Sequence, residues 1–247
     1  MNKEELSKTF TEYVEKYDMT NPHVDLKYHH SFRVMDLCDK IAKSLNLDEN
    51  DIEIANLVGL LHDYGRFFQV SEYNTYDDFK SIDHGDMGVK FLFEDEEILN
   101  FTNKIKNFDE IYDGIKYHNK YEIPKMSDHN TLITNIVRDA DKLDILYLAT
   151  IDVVKMNESE KEITEEVKEQ FYNHKSIDMR YLKSKNDKII VFLGFVFDLN
   201  YEYSFKYLVE NKVFDILFKK LENKERFAPY FEEVKKYIGG KYAREEV

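Results

Sequence analysis

An all-α fold is predicted for this 247-residue chain on three observations. Only 8 Gly and 3 Pro are present, so turns are few and regular elements long. Apolar residues recur at three- and four-residue spacing along most of the chain. Stretches alternating apolar with polar, as half-buried strands do, are hard to find. With 43% hydrophobic residues the chain can bury a sizeable core, as one large domain or as a domain with an appendage.

Taken in order, residues 4 to 17 make a short amphipathic helix through Leu6, Phe10, Tyr13 and Val14, and Asn21-Pro22 breaks the pattern. A helix is predicted from His30 to Leu47, with Val34, Leu37, Cys38, Ile41, Ala42 and Leu45 on its buried face and His30 at its start. Asp48 reads as the N-cap of the next helix, which carries Ile52, Ile54, Ala55, Leu57, Val58, Leu60 and Leu61 and ends at His62-Asp63. Residues 66 to 82 are polar and aromatic-rich, and are expected to be a long connection lidding a site. Asp83 caps a helix starting at His84, whose apolar face is Val89, Leu92 and Phe93. In a helix over 108 to 120, Ile111, Ile115 and His118 share one stripe, so His118 faces inward. Pro124 ends that element, and Asp128 is placed to cap a helix over 131 to 150 bearing Ile133, Ile136, Val137, Ala140, Leu143 and Leu146. The charge run from 157 to 168 reads as a solvated helix face, and apolar helical character returns from Ile189 to Leu221. The domain organisation expected is a helical metal-binding domain over 1–150, with 151–247 as a helical extension packed on it.

A formal charge of -14 argues against a surface that neutralises nucleic-acid phosphates, which needs a basic stripe. A small-molecule substrate is expected instead of a polymer. The single cysteine, Cys38, lies in an apolar stripe and is expected to pack rather than react. The first residues lack an apolar signal region and no stretch of about 18 residues stays apolar, so a cytoplasmic protein away from membranes is expected. The 18 Tyr and 18 Phe fall at helical spacing and read as core rather than as base-stacking platforms.

The chemistry-bearing residues are His30, His62, Asp63, His84, His118 and Asp141, each in or bordering a helical segment. His29 competes with His30 as the ligand, and helical spacing leaves Asp139 and Asp141 both open. Imidazole and carboxylate without thiolate suit borderline divalent ions. Six protein ligands exceed what one catalytic ion uses when it keeps a position for water. They suit two ions sharing one carboxylate, a pair about 3.5 to 4 Å apart that can hold a bridging hydroxide and clamp the oxygens of an in-line phosphoryl displacement.

Three segments carry a family resemblance. His30-Ser31-Phe32-Arg33-Val34, His62-Asp63-Tyr64-Gly65-Arg66-Phe67 and Ala140-Asp141-Lys142-Leu143 together resemble the HD superfamily of metal-dependent phosphohydrolases over about 30 to 145. The resemblance implies an HD-domain helical bundle in which His30, His62, Asp63 and Asp141 hold one metal, and Asp63 bridges to a second held by His84 and His118. It selects Asp141 over Asp139. The Gly-Tyr-Pro signature of the HD-GYP phosphodiesterases is missing, which removes support for a cyclic-dinucleotide substrate. Tyr64 stands where isoleucine or leucine is expected, a choice that would wet or narrow the pocket.

The expected activity is hydrolysis of a phosphate ester of a small molecule, a nucleotide among the candidates, with two divalent ions drawn from Mn, Fe, Co, Ni, Zn or Mg. Asp63, Arg66 and Lys142 are the expected catalytic residues, the two cations stabilising charge on phosphoryl oxygens. Two alternatives belong to other classes. The ligand order is also similar to that of myo-inositol oxygenase-like diiron oxygenases, and a non-catalytic, nucleotide-responsive module could keep the same metals.

Overall fold

A computed structural model describes residues 3–103 and 105–242, and no strand occurs among them. The chain forms two compact units, Met1–Asp141 and Lys142–Val247, with the boundary inside one long helix.

In the first unit, helix α1 (Lys3–Val14) buries Leu6, Phe10, Tyr13 and Val14. Phe10 meets the edges of Phe32 and Phe67, and Tyr13 stacks on Tyr64 with ring centroids 3.7 Å apart. Helix α2 spans Pro22–Ser44 and begins two turns earlier than its apolar spacing predicts. Asn21-Pro22 is therefore a start signal and not a break. The Asn21 side chain accepts from the His23 amide at 2.9 Å, and Pro22 sits where a missing N–H costs nothing. His30 consequently lies inside the helix.

Helix α3 (Glu49–Leu61) is capped by Asp48, which accepts from the Asp51 amide at 2.9 Å, and His62 is its C-cap. It crosses α2 closely at Gly59, where an added Cβ would lie 2.8 Å from Cys38 Sγ and 3.0 Å from Met35 Cα. Cys38 is fully buried there, a packing residue. The first half of the 66–82 connection is a helix: α4 covers Tyr64–Tyr73 and buries Tyr64, Phe67 and Val70, and left-handed Asn74 (φ 49°) ends it. Residues 74–83 are the remaining connection. A polar outer face hides the i, i+3, i+6 stripe of this short helix from a reading by composition.

Helix α5 (His84–Val89) starts at the Asp83 cap and continues as a wider π turn over Lys90–Glu94. Helix α6 (Phe108–Tyr117) ends with His118 as C-cap. Its terminal carbonyls find a donor in Arg138, whose Nη1 lies 3.1, 3.0 and 2.7 Å from the oxygens of Tyr117, His118 and Lys120. Helix α7 (Asp128–Thr150) is capped by Ser127, whose hydroxyl accepts from the Asn130 amide at 3.0 Å, so Asp128 is a first-turn residue and not the cap. All six apolar positions predicted for α7 are buried.

The second unit comprises the end of α7 and helices α8 (Glu165–Tyr172), α9 (Lys185–Gly194), α10 (Glu202–Glu210), α11 (Val213–Lys220) and α12 (Lys224–Tyr242). The 157–168 run is helical only from Glu165. Before that, buried Asn186 holds Ser159 and Lys161 by their carbonyls, and Asp187 accepts from the Thr164 amide at 2.8 Å. Among the described residues no helix is long and apolar enough to cross a membrane.

One surface group of the first unit gives a pH prediction. His129 at the start of α7 places Nε2 3.0 Å from Asp51 and Nδ1 3.1 Å from Glu110, tying α7 to α3 and α6. Partial burial disfavours its charge, but the two carboxylates outweigh that and raise its pKa above the usual 6.5. The stabilisation is thus fully present below about pH 6.5 and is lost as pH rises through the raised value. His129→Ala should melt below the wild type at pH 6, by about 1 kcal/mol at most for so exposed a pair. The gap should narrow toward pH 9, and a gap that widens instead would contradict the assignment.

Candidate metal centre

Four helix ends and two helix interiors bring the predicted ligands together in the first unit. His30 comes from the middle of α2, Asp141 from α7, His62-Asp63 from the junction of α3 and α4, His84 from the start of α5 and His118 from the end of α6. His30, His62, Asp63, His84 and His118 are buried, whereas the Asp141 side chain keeps 17% exposure.

The donor atoms fall into two sets that share Asp63. In the first, His30 Nε2 lies 3.2 Å from His62 Nε2, 3.1 Å from Asp141 Oδ1 and 3.5 Å from Asp63 Oδ2, and His62 Nε2 is 3.3 Å from the same Asp63 oxygen. In the second, His84 Nε2 lies 3.0 Å from His118 Nε2 and 3.3 Å from Asp63 Oδ1, with His118 Nε2 4.0 Å from that oxygen. One carboxylate oxygen thus faces each set. Ligands each about 2.1 Å from a common ion stand roughly 3.4 Å apart in tetrahedral and roughly 3.0 Å in octahedral geometry, close to most of these separations.

Proton placement also fits a cation. His62 Nδ1 is 2.8 Å from the Gly59 carbonyl and His118 Nδ1 2.7 Å from that of Ile115, acceptors that need the N–H on Nδ1. His84 Nδ1 is 2.8 Å from Asp78 Oδ2 and is likewise the donor. Each Nε2 then presents a lone pair inward. For His84 and His118 burial is the leading reason the pKa is lowered, so both rings are neutral near pH 7, and their lone pairs meet at 3.0 Å. Two facing lone pairs in a dry site repel unless a positive centre lies against both. The groups His30/His62/Asp63 and Asp63/His84/His118 could each hold a metal ion.

The carboxylates stay ionised. Burial pushes Asp63 up, but the Lys27 ammonium 2.5 Å away outweighs it and holds it well below the usual range. Burial likewise raises Asp141, and the His30 hydrogen bond, with the Lys27 charge, overrides it.

The flanking cations already have partners of their own. Arg66 puts Nε 3.3 Å from Asp63 Oδ1, while Nη1 is occupied at 2.8 Å by the Tyr76 carbonyl, at 2.8 Å by Asp78 and at 2.6 Å by Gln69. The Lys142 ammonium meets Asp198 at 2.7 Å within the second unit. The Tyr64 ring stacks on Tyr13 and its hydroxyl donates to Glu97, so it belongs to the packing of α1 on α4 and does not narrow the centre. His29 is exposed beside Asp25, and Asp139 is buried.

Sequence reasoning misses Lys27, Asp78 and Asn119. Lys27 Nζ sits 2.5 Å from Asp63 Oδ2. Its signal is its place one turn before His30, visible once the helix is known to start at Pro22. Asp78 and Asn119, which contact His84, carry no signal in spacing.

Residues 28–146 match the family model described as HD domain, a stretch containing all six predicted ligands. No curated protein and no solved structure matches the chain.

Proposed function

From a chain whose residues 28–146 form an HD domain, the metal-binding fold of a superfamily of metal-dependent phosphohydrolases, we propose hydrolysis of a phosphate ester of a small molecule. The observation carrying this reading is the division of Asp63, one oxygen toward His30 and His62 and the other toward His84 and His118. We assign His30, His62, Asp63 and Asp141 to one divalent ion and Asp63, His84 and His118 to a second. When bound, such ions supply Lewis-acid polarisation of a phosphoryl oxygen and activation of water at neutral pH.

The protein supplies the rest. Carbonyl and carboxylate partners on Nδ1 fix the rings with Nε2 inward, so no reorganisation is needed when charge develops. Asp141 and Lys27, each partly exposed, mark the side from which a phosphate group approaches. Lys27 is the cation we place against phosphoryl oxygens: its flexible stem lets the ammonium turn from Asp63 to a substrate anion. Arg66 acts by holding Asp78 and the 74–83 segment.

Dialysis against a chelator should abolish hydrolysis across a panel of phosphate monoesters and nucleotides, and Mn²⁺ should restore it. At Mn²⁺ about 1,000-fold above its Kd the first unit should gain about 4 kcal/mol of stability, read as a higher melting temperature. Hydrolysis that survives chelation and His62→Ala would refute the reading.

A further inference from the structure

We propose that Asp78 couples the second ion site to the 74–83 segment, so that ion binding by Asp63, His84 and His118 and the ordering of that segment depend on each other. This rests on the two-ion reading above. The inward-facing histidines are not oriented alike. His62 and His118 give their Nδ1 protons to carbonyls three residues back in their own helices, Gly59 and Ile115, which cannot leave unless the helix unwinds. His84 gives its proton to a side chain of the connecting segment, Asp78 Oδ2, at 2.8 Å.

The same carboxylate is the segment's anchor. Asp78 Oδ1 accepts from Arg66 Nη1 and Gln69 Nε2, both at 2.8 Å, and Oδ2 accepts from Asn119 Nδ2 at 3.2 Å. Those partners also hold the segment's backbone: Arg66 donates to the Tyr76 carbonyl and Gln69 to that of Ile82, each at 2.8 Å. Tyr76 closes the near end, its hydroxyl donating to the His23 carbonyl at 2.8 Å. Release of the segment would withdraw Asp78 from His84 and loosen Arg66 beside Asp63 Oδ1, the oxygen of the second set. Toward the first set the segment contributes the Tyr76 ring, 5.6 Å from the Lys27 ammonium that pairs with Asp63 Oδ2.

A carboxylate behind a ligating imidazole fixes its tautomer and raises its basicity more than a carbonyl does, and losing such a partner costs about 10–100-fold in metal affinity. By linkage, whatever factor segment order adds to ion affinity, the ion returns to segment order. A substrate that orders the segment would therefore tighten the second ion. Asp78, Asp83 and His84 could also be read as a further ion group. Asp83 is already paired with Lys120 at 2.5 Å, and His84 Nδ1 carries a proton toward Asp78, so the group is better described as a hydrogen-bonded support.

The test is Mn²⁺ titration of the full chain by calorimetry, with hydrogen exchange of residues 74–83 followed at each equivalent. The wild type should take up two ions, and the second should slow exchange in the segment. In Asp78→Asn the first ion should bind as before, the second about 10–100-fold more weakly, without the slowing. Asn119→Ala, which removes one neutral donor from Asp78, should shift the second ion the same way by less, and it answers the question if Asp78→Asn does not fold. A folded Asp78→Asn that binds both ions as the wild type does, or weakens both equally, overturns the coupling alone. A wild type that takes up one ion or none overturns the two-ion reading and the coupling with it.

Discussion

Asp63→Asn should lose both ions by elemental analysis, and with them about three orders of magnitude of phosphohydrolase activity. Both sets depend on this side chain, because Oδ2 faces His30 and His62 while Oδ1 faces His84 and His118. An asparagine keeps one acceptor and turns an NH₂ donor toward the other set, where a ligand lone pair is needed. Two ions contribute several kcal/mol of transition-state stabilisation, and each 1.36 kcal/mol is tenfold in rate, which sets the scale of about 10³-fold. Lys27 and Arg66 lose their shared anion but retain routes to solvent or to Asp78, so the variant should still fold. A variant holding two ions at wild-type activity would remove Asp63 from the centre.

Gly65→Ala should destabilise the first unit and spoil the second ion set together. A Cβ at Gly65 would stand 2.3 Å from the His84 carbonyl oxygen and 2.7 Å from the Gly88 amide nitrogen, both backbone atoms of α5. Neither can step aside as a flexible side chain would. Helix propensity alone predicts the opposite sign, since alanine in place of glycine gains about 0.5–1 kcal/mol in a helix. Overpacking costs typically about 1–3 kcal/mol, and a double backbone clash belongs at the upper end, so the clash wins. At roughly 2–4 °C per kcal/mol for a chain of this size, a fall of about 4–10 °C in Tm is expected. Because α5 carries His84, Mn²⁺ affinity at the second set should fall with it. A variant as stable as the wild type would show that α4 and α5 can separate freely.

This glycine shows where sequence reading stops. Its place after His62-Asp63-Tyr64 is visible as part of a motif, yet the reason for it is the approach of a helix about twenty residues later. The long helices were legible because burying one face of a 3.6-residue repeat forces apolar spacing, as in α3 and α7. The start of α2 was not, because Asn-Pro serves equally as a turn and as a cap with its N1 proline. Helix α4 was hidden because it is short and its outer face is polar. The ligands were legible by chemical type and by the resemblance, which selected Asp141, the residue found beside His30, over Asp139.

The sequence by itself determined the helical class and offered candidate ligands by type, because periodicity and donor chemistry are local properties of the chain, while the choice of Asp141 over Asp139 came from the family resemblance. Only the tertiary structure decided which oxygen of Asp63 faces which histidines, that Lys27 lies on Asp63, that Arg66 and Asp78 anchor the 74–83 segment, and that Lys142 pairs with Asp198. Those contacts join residues separated by a few to several tens of positions. Their partners are set by helix packing in three dimensions, and no repeat in the sequence records it.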